Sequence, residues 1–213
     1  MFFLRSFIYL LFVAGVAQLI SLEGFQLLSD AEYSEHSLTE YMQDTMAFLS
    51  CMLFLYAARL DEKLRVSSIL AAALLAMMLV RESDSFLDFY VFDGAWQTIV
   101  GLIIVFALVF LWGRFSSAYA SLKAYSSEAS FGTFLAGFFA ILAFSRLMGR
   151  GAFWQAVMGD SYMRTVKNIV EEGIETFGYT LILISALELV FVCLRRNRQS
   201  TFLAQHQLTL SNE

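Results

Sequence analysis

The chain has 213 residues, of which 59% are hydrophobic and 15% charged, and its mean hydropathy is +0.66. Soluble domains are about half apolar and a quarter charged, and much of any folded surface must face its solvent, so this composition argues against a water-soluble fold and for the lipid bilayer as the partner. The net charge of −5, with no basic face outside a short C-terminal tail, excludes nucleic acid as a partner.

Six apolar runs predict six transmembrane helices. They cover residues 7–22, 45–58, 66–80, 94–113, 131–145 and 173–194. A spanning helix needs about 20 residues, and the first, fourth and sixth runs approach that length, whereas the other three meet a charged residue sooner. The predicted fold is therefore all-α, a polytopic membrane helical bundle. Residues 1–198 form its single transmembrane domain, and residues 199–213 form a polar cytoplasmic tail.

The first run has a second interpretation. Arg5 precedes it and small residues occupy 14–17, as in a cleaved secretory signal peptide. Cleavage would leave five spans and move the new N-terminus outside. The run continues past that site to Leu22, which favours an uncleaved span.

Basic residues predict the orientation of the spans. Arg5 lies at the N-terminus, and Arg59, Lys63 and Arg65 lie in the second connection. Arg114 and Lys123 lie in the fourth connection, and the tail carries Arg195, Arg196 and Arg198. The first and third connections are acidic, and the fifth is mixed. The positive-inside rule therefore places both termini in the cytoplasm, with the chain as a multi-pass protein of the inner (plasma) membrane.

Local signals agree with this arrangement. Residues 37–40, Ser-Leu-Thr-Glu, predict a capping box that opens the second span. Trp96 and Trp112 bracket the fourth run as interfacial anchors do. Residues 149–163 place apolar side chains at helical spacing, which predicts a short interfacial helix between spans five and six.

Charged residues lie unusually close to the ends of the short runs. Arg65 and Arg81 are separated by about 24 Å of helix, and the hydrocarbon core is about 30 Å thick. If Arg65 lies at the cytoplasmic boundary, Arg81 lies inside the outer part of the apolar slab. Similar counts on the second, fifth and sixth spans give a layer of candidate ligand- or cation-binding residues: Glu40, Asp44, Arg81, Glu82, Arg146, Glu171, Glu172 and Glu175.

This charge layer has two interpretations. Ionisable groups inside a membrane are costly and usually face the bundle interior, where they pair with one another. The arginines could simply lock the bundle through ion pairs. Alternatively, the excess of carboxylates could bind a cation, a proton or a cationic headgroup. Spans one and four carry no such charges, so we expect them to face lipid or to dock other membrane proteins.

Metal and cofactor chemistry receives little support from the sequence. Glu35 and His36 are weak candidates for metal ligands, but a di-iron site in a helical bundle needs two histidines, and the second histidine, His206, lies in the tail. Cys51 and Cys193 lie in apolar runs and are expected to be buried thiols. We therefore predict no metal and no cofactor.

Three hypotheses about function remain. The first is a small transporter, channel or coupling protein that binds a cation, a proton or a polar headgroup at the charge layer. The second is a non-catalytic membrane subunit or sensor that docks partner proteins. The third, and least favoured, is a membrane-embedded enzyme that uses Glu171, Glu172 and Glu175 as acid/base groups.

Overall fold

A computed structural model describes residues 2–27 and 38–211, and this part of the chain is helical without strands. The α-helices are α1 (Phe2–Leu27), α2 (Leu38–Leu60), α3 (Arg65–Glu82), α4 (Asp84–Tyr90), α5 (Ala95–Leu111), α6 (Phe115–Ser126), α7 (Ala129–Phe139), α8 (Arg146–Met148), α9 (Gly151–Met158) and α10 (Arg164–Ser211). A π-helix, Ala140–Ser145, joins α7 to α8, and a 3₁₀ turn, Gly159–Ser161, follows α9. The all-α class is confirmed.

The chain divides into two compact units. Unit 1 comprises Met1–Ala47 and Thr133–Ile184, and unit 2 comprises Phe48–Gly132 and Ser185–Glu213. Helices α2 and α10 contribute residues to both units.

Three helical segments in the described part are long and apolar enough to cross a membrane: Phe3–Phe25, Ala129–Met148 and Arg164–Gln199. A fourth candidate is the bent pair Ala95–Leu111 and Phe115–Ser126. The described residues therefore include three or four candidate membrane-spanning helices. The second and third predicted runs form helices, α2 and α3, which are not among these candidates.

Unit 1 is organised around the first part of α10. In the most apolar stretch of the α10 segment, 61% of the residues are buried, against 6% in the α1 segment and 22% in the α7 segment. At Gly173 of α10 an added Cβ would lie 3.8 Å from Ile20 of α1, and Thr180 Oγ1 lies 3.5 Å from the sulfur of Met46 on α2. Helix α10 is thus the central helix of this unit.

The start of α2 is held by a carboxylate from α1. Glu23 accepts hydrogen bonds from the backbone amides of Leu38 at 2.6 Å and Thr39 at 3.1 Å, and from the Thr39 hydroxyl. These amides have no partner within their own helix, and a negative charge at a helix N-terminus is favourable. Ser37 of the predicted capping box lies outside the described residues, and Glu23 supplies a cap that the sequence did not reveal.

Two glycines let α7 and α10 approach closely in unit 1. A Cβ built on Gly137 would lie 2.5 Å from the Gly178 carbonyl oxygen, and one built on Gly178 would lie 2.5 Å from Ile141 Cγ1 and 2.8 Å from the Gly137 carbonyl oxygen. Small residues at helix crossings are the usual device for close packing in membranes, because backbone contacts replace side-chain contacts there. No larger residue fits this crossing without displacement.

Unit 2 is built on α3. This helix packs against α5 and α6, and α4 also packs against α5. A hydroxyl pair, Ser67 Oγ and Ser121 Oγ at 3.0 Å, joins α3 to α6. Tyr125 of α6 is buried with its ring edge-on to Phe54, and its hydroxyl lies 3.3 Å from Ser185 Oγ. Paired hydroxyls satisfy polar groups that have no water available to them.

The fourth predicted run, residues 94–113, forms α5, and the chain turns sharply where that run ends. Helix α5 ends at Leu111, and α6 leaves it at an angle of 103°. Gly113 at this bend has a φ of +73°, a conformation that residues with a side chain rarely adopt. The bend therefore depends on a glycine that the apolar run alone does not distinguish.

Burial agrees with the expected exposure of the first and fourth spans. Among the described side chains of α1 only Val16 is buried, and α5 buries only Ala95. A short helix, α9, also forms within the predicted stretch 149–163. Its position at the membrane surface stays a prediction.

We predict that Gly178→Ala destabilises the protein by about 1–3 kcal/mol, because the new methyl group overpacks the α7–α10 crossing. The measurement is the thermal unfolding midpoint of the detergent-purified protein. The control is Gly132→Ala, since a Cβ on Gly132 meets nothing within 4 Å. Equal midpoints for the two variants would contradict the close crossing.

Candidate functional site

The centre of the candidate site is Glu175, on the buried part of α10 in unit 1. Glu175 is 4% exposed. Its Oε1 atom lies 3.0 Å from Ser145 Oγ and 3.2 Å from Arg146 Nη2. A buried carboxylate needs both a counter-ion and hydrogen-bond donors, and two consecutive residues supply them at one oxygen.

The π-helix explains why consecutive residues can reach the same atom. Ser145 is its last residue and Arg146 directly follows it. In a regular α-helix neighbouring side chains point about 100° apart, whereas the wider π turn changes that angle locally. Such π segments are frequent at functional sites.

Glu171 is a second carboxylate beside Arg146, and it lies closer to the surface of unit 1 than Glu175 does. Arg146 Nη1 lies 3.7 Å from Glu171 Oε1, and Lys167 forms an ion pair with the other Glu171 oxygen. The Glu171 side chain is 15% exposed and that of Arg146 is 47% exposed. The Glu171 carboxylate also packs over Gly149, where a Cβ would come within 2.7 Å of Oε2. Arg146 therefore connects the buried carboxylate to a more open one.

The next residue of α10 faces α2. Gln43 Nε2 donates to Glu172 Oε2 at 2.9 Å and lies 3.0 Å from Thr176 Oγ1. Thr176 in turn donates to the Glu172 carbonyl oxygen at 2.8 Å. Gln43 is 2% exposed and Thr176 is fully buried. Helix α10 thus presents carboxylates on two faces, one toward α2 and one toward the π-helix and α8.

The structure brings together three of the predicted site residues directly: Arg146, Glu171 and Glu175. Glu172 lies on the same helix and binds Gln43. Carboxylates and an arginine of the predicted layer therefore lie in one part of unit 1, and their role in binding a ligand or cation stays a prediction.

The other predicted residues are placed as follows. Glu40 and Asp44 lie half-buried on α2 within unit 1. Arg81 and Glu82 lie in unit 2, where Arg81 Nη2 and Glu82 Oε1 pair at 2.9 Å. The weak metal candidates Glu35 and His36 lie outside the described residues.

Sequence reasoning missed the uncharged members of the cluster. Ser145, Gln43 and Thr176 all bind carboxylates or their backbone, and none carries a charge that would have singled it out. One signal was available: Glu172 and Thr176 are four residues apart and therefore share a helix face. Lys167 could have been found in the same way from Glu171.

Unit 2 holds a second ion-pair cluster that the sequence did not predict. Arg196 of α10 pairs with Asp61 at 3.3 Å and with Glu128 at 2.5 Å. Asp61 follows α2 and Glu128 precedes α7, so the guanidinium ties two turns to α10. The carboxylates are 11% and 16% exposed and the guanidinium is 47% exposed, values close to those of Glu171 and Arg146 in unit 1.

No group of three or more His, Cys, Asp or Glu residues is arranged to hold a metal ion within residues 2–27 and 38–211. Cys51 and Cys193 are buried free thiols, and the Cys51 sulfur lies 3.3 Å from the Ala72 carbonyl oxygen. The carboxylates of unit 1 are held instead by arginine, lysine, serine and glutamine.

No protein-family model, curated protein or solved structure matches this chain. The geometry of the site is therefore the basis for proposing a function.

We predict that Arg146 and Glu175 are energetically coupled. Arg146→Met should lower the free energy of unfolding by about 1–3 kcal/mol, because it leaves a buried carboxylate without its ion pair. The double variant Arg146→Met/Glu175→Gln should be destabilised by less than the sum of the single variants. Unfolding midpoints of all four proteins measure this, and additivity within about 0.5 kcal/mol would show that the pair is not coupled.

Proposed function

We propose that this chain is a multi-pass protein of the inner membrane that binds a proton, a cation or a polar headgroup at the carboxylates of unit 1. Such a protein would act as a small transporter, a channel or a coupling protein. The observation that carries the proposal is the buried Glu175 carboxylate, joined through the half-exposed Arg146 to Glu171.

The cost of this arrangement favours a role beyond packing. A charged group in the middle of a membrane helix is unfavourable by about 2.5–3.5 kcal/mol on insertion scales, and such groups mark ion and proton pathways. Helix α10 carries Glu171, Glu172 and Glu175 within five residues, on two faces that contact different helices. These three carboxylates would provide successive positions for a bound cation or proton.

We also propose that the chain crosses the membrane six times, with both termini in the cytoplasm. Helix α2 has 23 residues and α3 has 18, which correspond to about 34 Å and 27 Å of helix and are close to the 30 Å hydrocarbon core. Both can cross if their terminal charges pair inside the protein or reach the interface. Helix α9, with Trp154 half-buried and Val157 exposed, would then lie along the outer surface.

This topology is testable with single cysteines. We expect Asp160→Cys to react with a membrane-impermeant maleimide in intact spheroplasts, and Glu62→Cys to react only after lysis. Cys51 and Cys193 are buried and should add little background. Labelling of both positions from the same side would refute the proposed orientation.

A docking role is the second candidate, because α1 and α5 leave most of their apolar surface uncovered by the chain. Phe3, Leu10, Phe106 and Val109 are each at least 60% exposed. Lipid covers such surfaces in an isolated membrane protein, and a partner helix would cover them in a complex. A subunit of this kind needs no ligand at Glu175.

The two functions differ in how the purified protein responds to pH and ions. Under the binding proposal, the thermal unfolding midpoint of the wild type shifts with pH or with added Na⁺ or Ca²⁺, since a ligand that binds only the folded state stabilises it. Glu175→Gln should stay folded and lose most of that shift, which should be about 2–4 °C per kcal/mol of binding energy.

The matched control is Glu62→Gln, in the turn after α2, where the side chain is 85% exposed. This variant should respond as the wild type does. A wild type that is insensitive to pH and to both cations would favour the docking role, and a Glu175→Gln variant with an undiminished response would exclude Glu175 as the binding group.

A further inference from the structure

The Ser145 hydroxyl lies between two hydrogen-bond acceptors in the interior of unit 1. Its Oγ is 2.5 Å from the Ile141 carbonyl oxygen and 3.0 Å from Glu175 Oε1. Ser145 is fully buried. A serine hydroxyl carries one proton and can therefore donate to only one of these oxygens at a time.

Three oxygens lie in sequence here: Glu175 Oε1, Ser145 Oγ and the Ile141 carbonyl oxygen. If Glu175 is protonated, both contacts between them can be hydrogen bonds. When Glu175 is protonated, its O–H can donate to Ser145 Oγ while Ser145 donates to the Ile141 carbonyl. When Glu175 is ionised, Ser145 donates to the carboxylate and the Ile141 carbonyl loses that donor. The two protonation states of Glu175 therefore correspond to two orientations of one hydroxyl.

We propose that the ligand of this site is a proton, taken up by the Glu175 carboxylate, and that Ser145 is the positioning residue that links this event to the π-helix. This inference rests on the proposed function and specifies its ligand. The proton adds to the carboxylate, the negative charge is lost, and no other bond forms or breaks.

When Glu175 is neutralised by a proton, the Arg146 guanidinium keeps a second carboxylate as its partner. Its Nη2 faces Glu175 at 3.2 Å and its Nη1 faces Glu171 at 3.7 Å. After Glu175 takes up a proton, the guanidinium still faces Glu171, and Arg146, Lys167 and Glu171 together carry one net positive charge. Lys167, which pairs with Glu171 in this structure, would then share that carboxylate with Arg146.

Other groups of unit 1 set the electrostatic surroundings of Glu175. The titratable and charged residues that α10 and the helices packed against it contribute are Arg5, Tyr9 and Glu23 on α1; Glu40, Tyr41 and Asp44 on α2; Arg146 on α8; and Arg164, Lys167, Glu171, Glu172 and Tyr179 on α10. Among the contacts described above, Arg146 and Ser145 are the two donors at Glu175 Oε1.

Infrared difference spectroscopy of the full chain in lipid nanodiscs tests the proposal. Lowering the pH should produce the carbonyl stretching band of a protonated carboxylic acid, and Glu175→Gln should remove that band. Ser145→Ala keeps every charge but removes the shared hydroxyl, so it should retain the band at an altered frequency. The controls are Glu62→Gln and Ser121→Ala, both of which should give the wild-type band.

Two results would overturn the proposal. One is a band that persists in Glu175→Gln, and the other is a band with unchanged frequency in Ser145→Ala. A wild type that is stabilised by Na⁺ or Ca²⁺ yet shows no carboxylic-acid band would also end the proton assignment while leaving the proposed binding function intact. Absence of both the band and any cation response would remove both proposals together.

Discussion

The packing of unit 1 depends on one requirement. Carboxylates that lie among apolar helices must receive hydrogen-bond donors and counter-ions. Glu175 receives Ser145 and Arg146, Glu172 receives Gln43, and Glu171 receives Lys167 as well as Arg146. Leaving any of these groups without partners would cost several kcal/mol in a medium without water. Each partner comes from a defined helix, so the polar contacts specify which faces of α2, the π-helix and α8 turn toward α10.

Close packing makes these short polar contacts geometrically possible. Gly137 and Gly178 bring α7 and α10 together through backbone atoms, and Gly178 lies three residues after Glu175. The distance between the helices at this point controls whether Ser145 Oγ can reach a carboxylate on the next turn of α10. Apolar packing and polar recognition are therefore coupled here, since a wider crossing would weaken the hydrogen bond as well as the van der Waals contact.

The sequence predicted the helical class and some of the candidate spans, and it placed Arg146, Glu171 and Glu175 in one charge layer, because charge and hydropathy are visible at single positions. Gln43, Thr176 and Ser145 were not predicted as site residues, because an uncharged polar side chain in an apolar run looks the same whether it faces lipid, a backbone carbonyl or a carboxylate. The run 94–113 was predicted to end at Gly113, but the 103° angle between α5 and α6 was not predicted, because it depends on a positive φ at that glycine. The π-helix has no signal in hydrophobic periodicity at all.

The glycine crossing also determines which motions unit 1 can undergo. Helices that touch through backbone atoms at one point leave no gap for a lipid chain and cannot come closer, so they can rock about that point more easily than they can slide or part. Glu175 lies three residues from Gly178, so rocking about this crossing would displace the buried carboxyl less than the distant ends of α10.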